Sequence, residues 1–509
     1  MADVRRKISL AFLLLLLSVM TAAAQDVIKR GCRVGTPRPE GMALRRGATS
    51  GQTKQTGGDF YHGERHQLTV MVEFNDRPFK DNEEATLAQW DKIFNTKNLY
   101  EAPFKGSVHD YFYAQSYGNF DLTFDLVYVK VKGDAVKYAS TNANDENSQY
   151  LVQDIMEVLS TRHIDWSLYD WNGDGFVNQL LIVYAGHGMN DSSGSNLIWP
   201  HQGWMSEHLK DGKNGVYCDP VPVTYEGKEY KVDCYCALAE LTKNNDYGSF
   251  GTICHEYTHC FGFPDFYQSS KSYVWRWDIM DYGNYNGDGY CPAGYSAHER
   301  WLMGWLTPTE LKEATTITNM PALSDGPQAY LIRNDGFQNE YYIVENRQQK
   351  GWDESLPGRG ILVFHVDFDP VLWVSVTTYV NTSSRQHYLI FPANNLNITS
   401  ASFSKDWAYP YQKSELLTNS LTNSLTNSLT NTSTPAAKLW NANSDGTLFM
   451  NKPITNMDVQ DGKASFDFMK SATDIGIQTV TGVAQVLCEY GPIRIVRTAD
   501  GTVKKVMKR

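Results

Sequence analysis

Two histidines and a glutamate share one short stretch of this chain, in the order His255-Glu256-x-x-His259. Side chains four residues apart lie on the same face of an α-helix, so the two imidazoles can bind one metal ion. Imidazole is a common zinc ligand, and a glutamate between two such histidines is placed to act as a general base on water. The spacing therefore predicts a helix that carries a hydrolytic zinc site.

The residues after the second histidine supply a candidate third ligand. Gly262 favours the left-handed backbone conformation that ends many helices, and Pro264 prevents the helix from resuming. The chain can then turn back towards the histidines, and Asp265 becomes the predicted third zinc ligand. Asp281 and Glu240 stay open as alternatives for this position, although neither has the motif spacing.

The predicted helix also has an apolar face. Apolar residues recur at helical spacing, namely Phe250, Ile253, Cys254, Tyr257 and Phe261. We expect this face to anchor the helix in a core and to leave the histidines facing a cleft. The alternative is a buried helix whose histidines make ordinary hydrogen bonds, because so short a motif can arise by chance. The added glycine and aspartate favour zinc.

A second group of oxygen-bearing side chains lies upstream. Asp170, Asn172 and Asp174 stand at alternating positions before a glycine, and Asn178 follows. This pattern matches the front half of a calcium-binding loop, but Leu181 stands where a complete EF-hand has glutamate. We expect the four polar residues to bind Ca²⁺. The alternative is an Asp/Asn/Gly turn without a metal ion.

Length, charge and the N-terminus restrict the classes of protein that this chain can be. Its 509 residues suffice for several domains, and its formal net charge is −11. An acidic protein is a poor partner for nucleic acid, because binding phosphates requires a basic surface. Residues 1–24 have the basic start, short apolar run and small-residue cleavage site of a secretory signal peptide. We expect a secreted monomer without stable membrane insertion.

The order of the predicted elements divides the chain. Residues 65–310 alternate strand and helix patterns, as in an α/β (α+β) catalytic domain, and residues 311–470 hold short strand-like runs typical of a β-sandwich. A Leu-Thr-Asn-Ser repeat within residues 417–434 predicts a mobile surface loop. We expect residues 25–64 to be a short pro-segment or linker and residues 471–509 to be a β-rich tail.

Individual elements and cysteine pairs are also predicted. The expected strands include residues 67–74, 119–132, 176–185, 340–347 and 360–367, and helices are expected near residues 106–113 and 150–159. Most of the eight cysteines are expected to be buried apolar residues. A disulfide linking Cys218 to Cys234 or Cys236 stays open.

Downstream of the helix, residues 277–283 read Trp-Asp-Ile-Met-Asp-Tyr-Gly. This order resembles the metzincin peptidases, in which a methionine turn follows the zinc motif. The resemblance implies that Met280 lies in that structural turn and that Tyr282 is a tyrosine that swings towards the metal. Taken alone, Met280 would be interpreted as a core-filling residue.

Further segments extend the resemblance to one family, the secreted immune-inhibitor-A-type zinc metallopeptidases. They are residues 106–120 (Gly-Ser-Val-His-Asp-Tyr-Phe at their start), 170–178, 185–188, 199–201, 292–305, 345–347, 356–358 and 364–367. The resemblance implies a metzincin-like catalytic domain followed by an all-β sandwich-like domain. It also implies a Zn²⁺ cofactor bound by His255, His259 and Asp265, with Glu256 and Tyr282 in catalysis.

The resulting hypothesis is a zinc endopeptidase that hydrolyses the peptide bonds of protein or peptide substrates. Two alternatives stay open, a catalytically silent surface or adhesion protein on the same fold and a zinc amidase that acts on cell-wall peptides. The intact Glu256 argues against the silent protein, because a scaffold has no use for a base. Cys32 could hold the open zinc position and keep a zymogen latent, although a lone cysteine is more often inert.

Overall fold

A computed structural model gives the fold of this protein. It describes residues 61–139, 147–190, 197–210, 217–248, 250–268, 271–373, 379–396, 401–417, 420–470, 483–490, 493–498 and 503–507. The expected signal peptide at residues 1–24, Cys32 and nearly all of the expected pro-segment lie outside the described residues, as do residues 471–482 of the expected tail.

The chain folds into two compact units that are not continuous in sequence. The first unit contains the chain up to Leu306 together with Lys350–Leu356 and Asp369–Gln386. The second unit contains Thr307–Gln349, Pro357–Phe368 and the chain from His387 onward. Two stretches within the range 311–470 therefore pack with the first unit.

The first unit combines helices with mostly parallel strands. Its described α-helices are α1 (Glu83–Asn95), α2 (Val108–Gln115), α3 (Ala135–Tyr138), α4 (Ser148–Leu159), α5 (Phe250–Cys260), α6 (Ala297–Leu302) and α7 (Pro370–Trp373). Its described strands are β1 (Gly63–Glu73), β2 (Phe120–Lys130), β3 (Phe176–Val177), β4 (Leu180–His187), β5 (His201–Trp204), β6 (Val221–Tyr225), β7 (Lys228–Val232) and β8 (Cys234–Leu241). The predicted helix start near residues 106–113 is confirmed, since Ser107 and Asp110 form a capping box before α2.

A five-stranded sheet with the order β2-β1-β4-β8-β5 forms the centre of this unit. Strands β2, β1, β4 and β8 run parallel, and β5 pairs antiparallel with β8. Strand β4 is buried along nearly all of its length, as expected for a central parallel strand. The prediction of one strand over residues 176–185 is wrong, because β3 pairs with β7 in a separate sheet and only β4 joins the central one.

Helix α5, which carries the histidines, is fixed to the sheet by a buried polar network. The Tyr257 hydroxyl donates to Gln67 Oε1 over 2.7 Å, and Gln179 Nε2 donates to the same oxygen over 2.7 Å. Gln67 lies in β1, and Gln179 directly precedes β4. The predicted apolar face is confirmed, since Tyr257 and Phe261 pack edge-on against Phe112 of α2.

The first turn of α5 packs unusually close to another part of the backbone. A Cβ atom at Gly251 would lie 1.8 Å from the carbonyl oxygen of Asn284, which belongs to the 3₁₀ segment Tyr282–Gly289. At the same turn, the rings of Phe250 and Trp352 stack with an interplanar angle of 2°. Only glycine allows this approach, and it brings residues 278–289 alongside the histidine helix.

The second unit contains four sheets among its described residues. Its strands are β9 (Thr309–Glu310), β10 (Thr315–Met320), β11 (Tyr330–Arg333), β12 (Glu340–Arg347), β13 (Gly360–Asp367), β14 (Tyr388–Ile390), β15 (Tyr411–Leu417), β16 (Ser420–Thr426), β17 (Ile454–Gln460), β18 (Lys463–Phe468), β19 (Val483–Tyr490), β20 (Ile493–Thr498) and β21 (Val503–Met507). The sheets have the orders β14-β13-β12-β11-β9, β10-β18-β17, β15-β16 and β19-β20-β21. The first two share one buried core, in which Val344 and Val363 lie with Phe466 and Phe468.

The repeat region departs from the prediction of an irregular surface loop. Tyr411–Leu417 and Ser420–Thr426 pair as antiparallel strands, and the register places Leu417 opposite Ser420. After these strands, Leu429 is fully buried in the core of the second unit, whereas Leu425 is 59% exposed. The last copies of the repeat therefore contribute to the fold as well as to its surface.

Cysteine pairing and membrane insertion can be stated for the described part of the chain. Cys218, Cys234, Cys236, Cys254, Cys260 and Cys291 are all buried, and none of these six forms a disulfide. A disulfide from Cys218 to Cys234 or Cys236 is therefore absent. Within the same described residues, none of the helices has both the length and the apolarity needed to cross a bilayer.

The close backbone approach at Gly251 gives a testable prediction. We expect Gly251→Ala to lower the free energy of unfolding by about 3 kcal/mol or more, because the methyl group must push two main chains apart. Urea unfolding followed by tryptophan fluorescence measures the change. Gly326→Ala is the control, since a Cβ atom there meets nothing within 4 Å. Equal unfolding midpoints for Gly251→Ala and the unmodified protein would contradict the packing described here.

Candidate metal centre

Helix α5 holds both histidines of the motif in the interior of the first unit. All eleven residues of the helix are buried, and His255 and His259 are 1% and 2% exposed. The expectation of histidines that face a cleft is therefore wrong for this conformation, in which the motif is enclosed. The helix ends after Cys260, and Gly262 has a φ of 98°, as its predicted role in ending the helix requires.

Main-chain carbonyls orient both imidazole rings. His255 Nδ1 lies 2.6 Å from the carbonyl oxygen of Ile279, and His259 Nδ1 lies 2.7 Å from that of Phe263. A carbonyl oxygen can only accept, so each Nδ1 carries a proton and donates it. Each Nε2 of the neutral ring is then left with a lone pair directed away from these carbonyls, which is the form that binds metal ions.

The two Nε2 atoms meet a carboxylate oxygen of Asp265. Asp265 Oδ1 lies 3.2 Å from His255 Nε2 and 3.4 Å from His259 Nε2. Apart from this mutual contact, no described residue forms a hydrogen bond of acceptable geometry with any of these three buried atoms. Zinc–nitrogen and zinc–oxygen bonds of about 2.1 Å place tetrahedral ligands about 3.4 Å apart, so the spacing fits a zinc ion.

The charges in this cluster suit a divalent cation. Burial lowers the pKa of His255, but its hydrogen bond to Asp265 and the charge of Glu256 outweigh this effect and raise the pKa to about 9. Burial raises the pKa of Asp265, but the adjacent His259 and His255 outweigh it and hold that pKa well below its usual range. A divalent cation would supply the positive charge that a proton on His255 otherwise provides.

Glu256 lies beside the ligand cluster without being part of the triangle above. One oxygen of its carboxylate lies within 4.8 Å of ligand atoms of His255 and His259, and Glu256 is fully buried. His255, Glu256 and His259 thus also form a group of three side chains compact enough to hold an ion. The arrangement leaves a carboxylate next to the position that an ion would take, where it can accept a proton.

The turn around Met280 joins the two ends of the site. The carbonyl of Ile279 accepts a hydrogen bond from His255, and the carbonyl of Met280 accepts one from Phe266 N over 2.9 Å. Asp278 Oδ1 in turn accepts from Met280 N over 2.8 Å. Residues 278–280 therefore hold both His255 on the helix and the backbone that follows Asp265.

The two alternative ligands are committed to other contacts. Glu240 accepts hydrogen bonds from Lys80 N and Gly186 N, both over 2.8 Å. It thereby links the loop that contains Lys80 to the C-terminal end of β4. Asp281 accepts from Trp275 N over 3.2 Å and from the Ser272 hydroxyl, and burial raises its pKa to about 8. These bonds give both carboxylates structural roles.

Tyr282 lies in an aromatic stack. Its ring stacks on Trp275 with a centroid distance of 4.9 Å and on Tyr267 with 5.6 Å. Trp275 has a φ of 49°, which a tryptophan rarely adopts, and its main-chain N–H is held by Ser272 and Asp281. Tyr282 is 2% exposed, so a swing of its ring would require the stack to open.

The candidate calcium residues form a loop that is closed by its own hydrogen bonds. The Asp170 carboxylate accepts from Asp174 N and Gly175 N, each over 3.1 Å, and Asn178 Oδ1 accepts from Trp171 N over 2.6 Å. The Asn172 side-chain amide donates to the carboxylate of Asp174 over 3.1 Å. The four predicted residues thus lie close together, and side-chain oxygens of Asp170, Asp174 and Asn178 accept hydrogen bonds from backbone N–H groups of this segment.

Several functional contacts were missed in the sequence. The carbonyls of Ile279 and Phe263 orient the two imidazole rings of the candidate site, but every residue has a carbonyl, so no residue type marks them. Three further histidines, His187, His201 and His365, make contacts typical of structural residues. His187 and His201 bond main-chain carbonyls of Thr242 and Trp199, and His365 bonds Glu340.

Comparison with known proteins extends over the same part of the chain. Residues 61–304 match the family described as immune inhibitor A peptidase M6, catalytic domain. Similar curated proteins include Immune inhibitor A of Bacillus thuringiensis subsp. alesti, 25% identical over 277 residues that cover 46% of this chain and 38% of that protein. Pre-pro-metalloprotease PrtV of Vibrio cholerae serotype O1 (strain M66-2) is 24% identical over 274 residues that cover 45% of this chain and 28% of that protein.

The alignments thus span well under half the length of both relatives. The match nevertheless contains the whole candidate metal centre, from the sheet that supports α5 to the turn at Met280. The resemblance drawn from the motifs is confirmed by it. Over residues 61–304, the chain is therefore similar to the catalytic domain of the immune inhibitor A peptidases of family M6.

Proposed function

We propose that this protein is a secreted zinc endopeptidase that hydrolyses peptide bonds of protein substrates. The observation that carries the proposal is the triangle of His255 Nε2, His259 Nε2 and Asp265 Oδ1, with edges of 3.2 and 3.4 Å and with Glu256 beside it. Two neutral nitrogens and one carboxylate oxygen are a zinc-ligand set that leaves a position open for catalysis.

The family and its relatives support the reaction class. The family is described as a peptidase, and the relative from Vibrio is named as a metalloprotease. Protein substrates follow from that class, and we propose a monomer that needs no membrane insertion. The N-terminal pattern in residues 1–24 supports export, and Cys32 is the candidate for a latency contact in the pro-segment.

The chemistry requires a nucleophile, a base and stabilisation of negative charge. Zinc at this site would acidify water and polarise the substrate carbonyl. Glu256, within reach of the open position, takes the proton of the attacking water and passes it to the leaving amine. The enclosed site strengthens this transfer, because a carboxylate without bulk water around it is a better proton acceptor.

Tyr282 is proposed to assist by donating a hydrogen bond to the oxygen of the attacked carbonyl. Its place in the turn that also anchors His255 supports this role, because Tyr282 and the metal centre are held by the same backbone. The hydroxyl would then stabilise the charge that develops in the transition state.

The architecture around the site is also part of the proposal. We propose that residues 65–310 form a metzincin-like catalytic domain and that residues 311–470 are mainly a β-sandwich, followed by a β-rich tail from residue 471. The buried core shared by two sheets of the second unit supports the sandwich. We further propose that Asp170, Asn172, Asp174 and Asn178 bind Ca²⁺, because they converge in one loop.

The role of Glu256 is tested by an isosteric change. We expect Glu256→Gln to reduce kcat for a quenched fluorescent peptide by about 10²- to 10⁴-fold, because the amide cannot take a proton. Zinc content measured by mass spectrometry should stay at the unmodified level, since Glu256 is not a ligand. The control is Glu299→Gln, whose carboxylate caps α6 by accepting from Ser296 N over 2.6 Å.

Three outcomes would count against the proposed function. A zinc-loaded protein that cleaves no peptide would favour the silent surface protein. Cleavage of cell-wall peptides without cleavage of proteins would favour the amidase. Full activity in Glu256→Gln would show that the base is another group.

The role of Tyr282 is tested by comparing the effects of a substitution on kcat and on KM. We expect Tyr282→Phe to lower kcat by about 10²-fold and to leave KM nearly unchanged, because the hydroxyl acts on charge that is present only in the transition state. Steady-state kinetics on the same peptide measure both constants. Tyr285→Phe is the matched control, since its ring lies 6.4 Å from that of Tyr282 in the same segment. A parallel rise in KM with constant kcat would assign Tyr282 to substrate binding instead.

Calcium binding is tested on metal-depleted protein that has been reloaded with zinc. We expect millimolar Ca²⁺ to raise Tm by several degrees, because an ion that binds only the folded loop stabilises it. Asp174→Ala should abolish the shift. Asp445→Ala should keep it, since the Asp445 carboxylate accepts from Thr447 N in a separate exposed loop. A Tm that does not respond to Ca²⁺ would leave residues 170–178 as a turn.

A further inference from the structure

A segment from far downstream completes the first unit beside the metal centre. Asp369–Gln386 packs with this unit although the chain before and after it belongs to the second unit. Of this segment, the structure describes residues 369–373 and 379–386. The part matched to the peptidase family ends at residue 304, so the downstream segment lies outside the match.

The segment makes a buried hydrogen bond to the residue after the third candidate ligand. Asn381 Nδ2 donates to the carbonyl oxygen of Phe266 over 2.8 Å, and Asn381 is fully buried. On the other side of the same residue, Phe266 N donates to the carbonyl of Met280 over 2.9 Å. The backbone that follows Asp265 is therefore held at its N–H by the Met280 turn and at its carbonyl by Asn381.

Further contacts fix the downstream segment to the same loop. The ring of Trp373 lies 6.1 Å from that of Phe266 and 5.7 Å from that of His298. Further along the loop, the Tyr273 hydroxyl donates to the carbonyl of Thr382 over 3.3 Å, and Lys271 Nζ donates to the Ser383 hydroxyl over 2.8 Å. Asn381 is thus part of a docked element and is not an isolated contact.

Asp265 depends on this support more than the histidines do. His255 and His259 are fixed by a helix and by their Nδ1 bonds, whereas Asp265 lies beyond the helix end, after Gly262 and Pro264. A ligand on a loop needs neighbouring bonds to hold it within about 0.5 Å of the binding position. The bonds that Phe266 makes on both sides supply that constraint one residue away.

We propose that Asn381 is a positioning residue of the metal centre, which holds Asp265 at the zinc-binding position through the carbonyl of Phe266. The inference rests on the proposed function, in that Asp265 is taken as a zinc ligand. It adds that the metal centre of this chain includes a residue from outside the matched catalytic region. Loss of the bond should act on metal affinity, since outer partners of ligands typically change it 10- to 100-fold.

The first experiment measures zinc affinity in the full-length protein by competition with a chromogenic chelator. We expect Asn381→Ala to raise the Kd for zinc about 10- to 100-fold. The control is Asn95→Ala, which removes another amide bond to a main-chain carbonyl in the same unit, from Asn95 Nδ2 to Phe124 O over 2.8 Å. The control should lose stability while keeping the zinc Kd. An unchanged Kd in folded Asn381→Ala would overturn the inference.

The second experiment uses the unmodified protein and so does not depend on the variant folding. If Asn381 helps to hold zinc, zinc must equally stabilise the docked segment, because coupling between two sites is reciprocal. Hydrogen exchange should therefore slow at the amides of residues 379–386 when zinc is added, and should stay unchanged in α1. Equal exchange rates in residues 379–386 with and without zinc would overturn the inference.

A third variant separates failure of the inference from failure of the proposed function. His255→Ala removes a proposed ligand directly and should abolish tight zinc binding. If His255→Ala binds zinc like the unmodified protein, the proposed metal centre is wrong and the role of Asn381 falls with it. If His255→Ala loses zinc while Asn381→Ala keeps it, the metal centre stands and the positioning role is wrong.

Discussion

Three buried polar atoms, His255 Nε2, His259 Nε2 and Asp265 Oδ1, are held close together in the interior of the first unit. A carboxylate oxygen of Asp265 lies 3.2 and 3.4 Å from two imidazole nitrogens, and the described residues give these atoms no other hydrogen-bond partner of acceptable geometry. Burying such groups costs free energy unless a proton or a cation joins them. The surrounding structure fixes these three atoms in an arrangement that an ion could occupy.

The groups that hold these three atoms in place belong largely to the main chain. Carbonyls of residues 263 and 279 orient the histidines, and the carbonyl of Met280 holds the backbone after Asp265. Gly251 allows the 3₁₀ segment after Met280 to approach the helix at backbone distance, which brings these carbonyls into reach. A shift of that segment would displace both His255 on the helix and Asp265 on the loop. The geometry of the candidate metal centre therefore depends on the packing of this segment against the helix.

The sequence predicted which residues meet at the candidate site but not what surrounds them, for physical reasons. The motif residues are identified by side-chain type and by helical spacing, and the strands at residues 340–347 and 360–367 by their apolar pattern. Burial of the motif was not predicted, because coverage comes from residues distant in the chain. The break between β3 and β4 was missed because residues 176–185 are apolar almost throughout, whereas the pairing partners differ. No local sequence pattern predicts the proposed role of Asn381, because that role depends on the return of residues 369–386 to the first unit.

That return has a consequence for the order in which the protein is made. The chain leaves the first unit after Leu306, returns for Lys350–Leu356, leaves again and returns for Asp369–Gln386. A nascent chain that ends anywhere before residue 386 therefore lacks part of the unit that contains the histidine helix, however long ago that helix was synthesised. Synthesis must therefore proceed as far as residue 386 before the first unit can be complete. Under the proposed function, the peptidase would acquire its full metal centre only after most of the chain has been made.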